Sequence, residues 1–139
     1  MKILIAADGS DYTRRMLDYL ASHDWLRSGN ALSVLTVLLP LPHRAAAFAG
    51  KDLVQNYYFE DAEQVLRPVR EFLKAHGLEA ECSYRIGHPA ECIARASHDG
   101  GHDLVVMGSH GHGAVANLVL GSVATKVLAA CKTPVLLIR

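Results

Sequence analysis

The chain has little cysteine, and none of it is patterned. Cys82, Cys92 and Cys131 are the three in 139 residues, an odd number without Cys-x-x-Cys spacing. That argues against a disulfide frame or a cysteine zinc site and fits thiols kept reduced in a cytoplasmic protein. Charge of one sign is also missing, since 14 Lys and Arg stand against 14 Asp and Glu. A general nucleic-acid binder carries a basic excess, so no nucleic-acid partner is expected. No apolar run approaches the roughly 20 residues that span a bilayer, so no membrane partner is expected either. Met1-Lys2 followed by Ile3 to Ala7 starts like a secretory leader, but Asp8 ends the apolar stretch too early for an h-region. Internal repeats and low-complexity tracts are absent, as is the Gly-Lys-Ser/Thr ending of a Walker A loop.

What is present suits one domain spanning residues 1–139, half of it hydrophobic and so able to bury a core. Short apolar runs alternate with helical periodicity. Strands are expected at Lys2 to Ala7, Ala31 to Val37, Glu79 to Arg85, Asp103 to Met107 and from Pro134 onward. A helix capped by Ser10 or Asp11 carries Met16, Leu17, Leu20 and Ala21 at helical spacing and runs until Gly29-Asn30 stops it. Leu38 to Gly50, with Pro40 and Pro42, reads as a long loop or flap. Lys51 to His76 reads as a helix that Pro68 kinks or divides, with Leu53, Val65, Leu66, Val69, Phe72 and Leu73 facing inward. Tyr57, Tyr58 and Phe59 are expected to pack this helix onto the sheet. Pro89 starts a further helix, and the last runs from about Ser122 to Ala130. Such alternation implies a parallel α/β sheet, open, with helices on both faces and right-handed crossovers.

The chemistry concentrates in Met107-Gly108-Ser109-His110-Gly111-His112-Gly113, followed by Leu120-Gly121-Ser122. A buried strand leads in and a helix leads out. Glycines allow a sharp turn and close approach of backbone to a ligand. Ser122 is a good N-cap type, and a helix start presents free N–H groups with partial positive charge, which suits phosphate. A turn that merely reverses the chain would carry the same glycines. His110 and His112 are too few to hold a metal without a nearby Cys or acid. They are expected to line the phosphate site as donors whose charge varies near neutral pH. Lys126 lies one turn into the last helix, and His88, His98 and His102 read as exposed turn residues.

Gly108, Gly111, Gly121 and Ser122 reproduce the spacing Gly-x2-Gly-x9-Gly-(Ser/Thr), and with it the chain resembles the nucleotide-binding type of the universal stress protein family. The resemblance extends from Ile3-Leu4-Ile5-Ala6-Ala7-Asp8-Gly9-Ser10 to the end of the chain. It implies a Rossmann-like five-stranded sheet of order 3-2-1-4-5, which puts the reversal of strand order between the first and fourth strands. Ligands of open parallel sheets sit at such a reversal. Asp8 would contact the ribose, although it can equally make a turn with Gly9 and cap the first helix. The backbone of Val37, after Thr36, would meet the adenine edge. Ala6, Met107, Gly108, His110, Gly111, Gly121, Ser122 and Val123 complete the implied contacts. The implied ligand is ATP, with or without Mg²⁺, although arginine often stands where this chain has His112. The implied assembly is a homodimer through Val135 to Ile138, whose apolar residues lie at a sheet edge that needs covering.

Three functions compete. The first is a regulatory stress-response module that binds ATP with little or no turnover. The second is an ATP-hydrolysing or adenylating enzyme, against which the chain has neither a Ser-Gly-Gly-x-Asp-Ser phosphate loop nor a His-x-Gly-His signature. The third is a dimeric interaction protein without nucleotide, for which the intact glycine spacing would have no purpose.

Overall fold

The computed structural model describes residues 1–113, 115 and 117–139. The elements run β1 (Lys2–Ala6), α1 (Asp11–Ser22), α2 (Asp24–Arg27), β2 (Ala31–Leu38), α3 (His43–Ala49), α4 (Lys51–Ala75), β3 (Ala80–Ile86), α5 (Pro89–Asp99), β4 (Leu104–Gly108), α6 (Ser122–Ala130) and β5 (Val135–Ile138). All strand pairs are parallel, in the order β3-β2-β1-β4-β5. The central strands are apolar at successive positions because both of their faces are covered. Ile3 and Ile5 of β1 point to one face with Val34 and Val106, against Met16, Leu20, Leu26, Leu66 and Leu73 of α1, α2 and α4. Leu4, Leu35, Val105 and Met107 point to the other, against Ile93, Ala96, Ala124 and Val127 of α5 and α6. Small residues on α5 and α6 let that layer sit close to the sheet.

Four expectations need correction. The first helix is divided in two. His23 leaves helical conformation, stacks on Tyr19 with ring centroids 3.8 Å apart and meets the Tyr19 carbonyl through Nδ1 at 2.8 Å. The chain then restarts as α2, which buries Leu26. The expected flap contains α3. Its Ala-rich run has high helix propensity but no apolar stripe, and none of its residues is buried. The Leu41 N–H donates to the Tyr58 hydroxyl at 2.8 Å and ties this connection to α4.

Pro68 does not divide α4, which is one helix of 25 residues. The proline stands on the exposed face, where the carbonyl it leaves unpaired can be solvated, while Leu66 and Val69 hold the helix to the sheet. The inner face is Tyr58, Ala62, Leu66, Val69 and Leu73, with Val65 and Phe72 partly buried. Leu53, Tyr57 and Phe59 are exposed. Gly77 has φ +69° and closes the helix. The Leu78 N–H bonds the Leu73 carbonyl at 2.8 Å and the Gly77 N–H bonds the Lys74 carbonyl at 3.1 Å, the paired bonds of a Schellman ending. Among the described residues no helix is long and apolar enough to cross a membrane.

Glu63 on α4 receives two bonds from the Arg70 guanidinium, at 3.1 and 3.2 Å, with Arg67 at 3.9 Å. The Arg70 hydrogen bonds hold its carboxyl below the usual range. A carboxylate with a lowered folded-state pKa stabilises the fold above its unfolded value, and that contribution is lost as pH falls through the folded one. Glu63→Gln should therefore lower the melting temperature at neutral pH, and the gap to wild type should close below the ordinary carboxyl value of 4.5. A pH series of thermal unfolding curves checks this, and a gap that persists in acid would count against it. Burial pushes the Cys82 thiol up, so it stays protonated beside this ion pair.

Candidate functional site

The chain leaves β1 in one direction to build β2 and β3, then returns to build β4 and β5 on the other side. The two adjacent strands β1 and β4 pair up to Ala6 and Met107, and the connections that follow them diverge. A cavity of about 300 Å³ opens beyond their carboxyl ends, on the side of the sheet covered by α5 and α6. Ala6, Asp8, Val37, Met107, Gly108, His110, Gly111, Gly121, Ser122 and Val123 all line it, with His112 beside them. Lys126 does not. Thr13, Leu35, Pro89 and Ile93 line it too and were not expected. Leu35 could have been found, since it lies two residues before Val37 and so on the same face of the strand. Pro89 and Ile93 share a face of α5, but nothing local shows that α5 crosses the end of β2.

The glycines are set by close approach. A Cβ on Gly111 would lie 2.5 Å from Asp8 Oδ2, and one on Gly108 would lie 2.7 Å from the Tyr12 Cβ. At Gly121 it would meet the His110 Cα at 3.0 Å and the Ser109 carbonyl at 3.2 Å. Gly121 thus packs against the loop backbone and donates its N–H to the Ser109 carbonyl at 2.7 Å. Gly121 is also the N-cap of α6, and Ser122 is the first helical residue, not the cap as its type suggested. The first intrahelical bond runs from the Thr125 N–H to the Gly121 carbonyl at 3.0 Å. The N–H groups of Ser122, Val123 and Ala124 precede it and have no partner within the helix. All three residues line the cavity.

Asp8 does structural work with one oxygen. Oδ1 accepts the Ser10 N–H at 2.9 Å and the Thr13 hydroxyl at 3.0 Å. Thr13 Oγ1 in turn accepts the N–H groups of Asp8 and Gly9, each at 3.1 Å. Oδ2 lies close against Gly111, and both residues line the cavity. One oxygen of the carboxylate thus makes the turn, without capping α1, and the other belongs to the cavity lining.

The histidines differ from expectation. His110 Nε2 faces the Leu118 carbonyl at 2.8 Å, so it carries a hydrogen. In the neutral ring Nδ1 then accepts from the buried Ser109 hydroxyl at 2.9 Å. Both nitrogens have protein partners, and the ring lies against Tyr12 with centroids 5.1 Å apart. His110 fixes the loop and offers the cavity no free donor. His112 donates Nε2–H to the Asp8 carbonyl at 2.8 Å and fastens the glycine loop to the end of β1. Its Nδ1 has no such partner among the described residues. Elsewhere, His88 and His98 are exposed as expected, but His102 is half-buried, with both ring nitrogens shielded from solvent. No group of three or more metal ligands occurs among the described residues.

Val37 contributes backbone. The last bond between β1 and β2 runs from the Ala7 N–H to the Leu35 carbonyl at 3.0 Å. Backbone groups alternate sides along a strand, so the N–H and C=O of Val37 point the same way as those of Leu35. They lie beyond the end of β1 and border the cavity as a donor and an acceptor on one edge.

The sequence profile described as the universal stress protein family matches residues 1–139. The chain belongs to the universal stress protein family. A universal stress protein of Thermus aquaticus is 34% identical over 143 residues, covering 99% of this chain and 97% of that one. Universal stress protein YxiE of Bacillus subtilis is 30% identical over 146 residues, covering 99% and 98%. A Synechocystis universal stress protein is 32% identical over 99% of this chain, which spans only 42% of that longer protein. Among solved structures, the hypothetical protein MJ0577 of Methanocaldococcus jannaschii superposes with a TM-score of 0.81 at 25% identity, covering 99% of this chain and 94% of that one. A universal stress protein in complex with cAMP superposes with a TM-score of 0.67 at 25% identity, covering 100% and 96%. The Archaeoglobus fulgidus universal stress protein in complex with dAMP, at 24% identity and a TM-score of 0.67, shares the fold.

Proposed function

We propose that this family member binds an adenine nucleotide in the cavity between β1 and β4 and acts as a regulatory stress-response module with little or no turnover. The observation that carries the reading is the backbone edge of Val37, left free where β2 outruns β1, opposite a glycine loop and a helix start. Adenine pairs through a neighbouring donor and acceptor, which one extended residue supplies. Asp8 Oδ2 is placed to accept ribose hydroxyls, and the N–H groups at the start of α6 suit a phosphate. The cAMP complex of a protein with the same fold supports the ligand class. ATP with Mg²⁺ is the form that the resemblance implies. The residues fit adenosine and one phosphate; Asp8 is the single carboxylate among the described lining residues, which is a poor donor set for a magnesium ion. Low turnover is supported by the engagement of Asp8 Oδ1 in the turn after β1 and of both His110 nitrogens in the glycine loop, with no nucleophile and base paired among the described lining residues. Mass spectrometry of small molecules released from the purified protein, with calorimetry on added adenosine and AMP, tests the reading. Absence of any bound or binding adenine compound would leave the dimeric interaction protein as the better account.

The proposed assembly is a homodimer through β5, within a cytoplasmic protein whose three thiols are free. The carbonyls of Pro134 and Ile138 accept bonds from the N–H groups of Val105 in β4 and of Ser109 just after it, so by alternation the backbone of Val135 and Leu137 faces the open edge. An open edge invites a second strand. Ile138 is buried in the core, so a lysine there would disturb the fold together with any interface. Leu137→Pro removes an outward N–H and leaves the bonds to β4 in place. The expected result is a monomer by light scattering at micromolar concentration, with helical circular dichroism retained. A variant that stays dimeric would place the interface elsewhere.

A further inference from the structure

Resting on the reading that the cavity takes adenine nucleotide, we infer that this chain selects a nucleoside monophosphate over a triphosphate. The lining explains why. Among the described residues it contains no lysine or arginine, and its one formal charge is the Asp8 carboxylate, which is negative. Arg15 lies over the Tyr12 ring at 4.7 Å and does not line the cavity, and Lys126 is exposed and does not line it either. The two imidazoles supply no fixed charge in their place: His110 has both nitrogens engaged, and His112, with Nε2 on the Asp8 carbonyl, offers a single nitrogen, Nδ1.

What remains for phosphate among the described residues is backbone: the glycine loop and the start of α6, the latter with about half a positive charge and N–H groups unpaired within the helix. That matches one phosphate group, which carries about −1.5 to −2 at neutral pH. Each further phosphate adds negative charge with no cation from the described lining to meet it, and the Asp8 carboxylate in that lining repels it. Magnesium can offset part of that charge only if it arrives with the nucleotide, because the lining offers it a single carboxylate. The apolar walls made by Leu35, Ile93 and Met107 favour the base and are indifferent to the tail.

The test is calorimetry on the full chain with adenosine, AMP and ATP, the last with and without Mg²⁺. AMP is expected to bind more tightly than Mg-ATP by about tenfold, equal to about 1.4 kcal/mol. His112→Arg adds a cation at the loop and should narrow that ratio by raising ATP affinity. Mg-ATP binding as tightly as AMP in wild type would overturn the inference, as would a ratio that His112→Arg leaves unchanged. If adenosine binds in either of those cases, the nucleotide reading stands and only the selection for one phosphate fails. If adenosine, AMP and ATP all fail to bind, both fall together.

Discussion

Gly121→Val is expected to abolish adenine-nucleotide binding, weakening it by about 100-fold or more, and to lower the melting temperature as well. The cause is backbone against backbone. A Cβ at Gly121 meets the His110 Cα at 3.0 Å and the Ser109 carbonyl at 3.2 Å, and valine adds two methyl groups beyond it. Neither neighbour can turn away as a side-chain tip would, so the start of α6 must separate from the loop. That separation breaks the bond from the Gly121 N–H to the Ser109 carbonyl and re-aims the free N–H groups of Ser122, Val123 and Ala124. Overpacking of this kind costs about 1–3 kcal/mol, which corresponds to a fall of about 4 to 12 °C in a domain of this size. The sheet should survive, because its apolar layers lie away from this contact. Calorimetry with AMP and thermal unfolding by circular dichroism measure the two effects. Normal affinity with an unchanged melting temperature would mean that this junction has slack.

Asp8→Ala should weaken AMP by about 10- to 100-fold, the loss of hydrogen bonds to a charged group worth about 1.5–3 kcal/mol. Competition by inorganic phosphate should change little or improve, because the carboxylate is assigned to ribose and opposes anions. The alanine variant should also lose about 1 kcal/mol of stability, since the Ser10 N–H and the Thr13 hydroxyl lose their acceptor. Asp8→Asn separates the two roles. An amide oxygen can keep the turn bonds of Oδ1, while the amide nitrogen replaces the acceptor facing the cavity. Asn should therefore fold like wild type and bind AMP poorly. Asn binding as tightly as Asp would remove Oδ2 from the ligand and leave Asp8 as a turn residue alone.

The sequence by itself determined the strands, because a parallel sheet buried on both faces demands short continuous apolar runs, and Ile3 to Ile5 or Val105 to Met107 can hardly be anything else. The glycine spacing was equally legible, since at Gly108, Gly111 and Gly121 a side chain has no room. Local signals were incomplete elsewhere. The missing apolar stripe and the prolines before it hid α3, whose alanines favour helix, and the rule that proline breaks a helix overstated Pro68, whose solvent-facing position leaves α4 one helix. Residue type suggested a cap at Ser122, but the close contact of its neighbour with His110 gave that position to Gly121. Most of the site's chemistry was decided only in three dimensions. The partners of Asp8 Oδ1 and of both His110 nitrogens lie nearby in sequence, but that Asp8 Oδ2 meets Gly111, and that no lysine or arginine lines the cavity among the described residues, depend on residues distant in sequence. Only the folded chain brings Asp8, Val37, Pro89 and the glycine loop within reach of one another. Linear spacing carries information along one element, whereas charge and hydrogen bonding in a cavity are sums over all the elements that meet there.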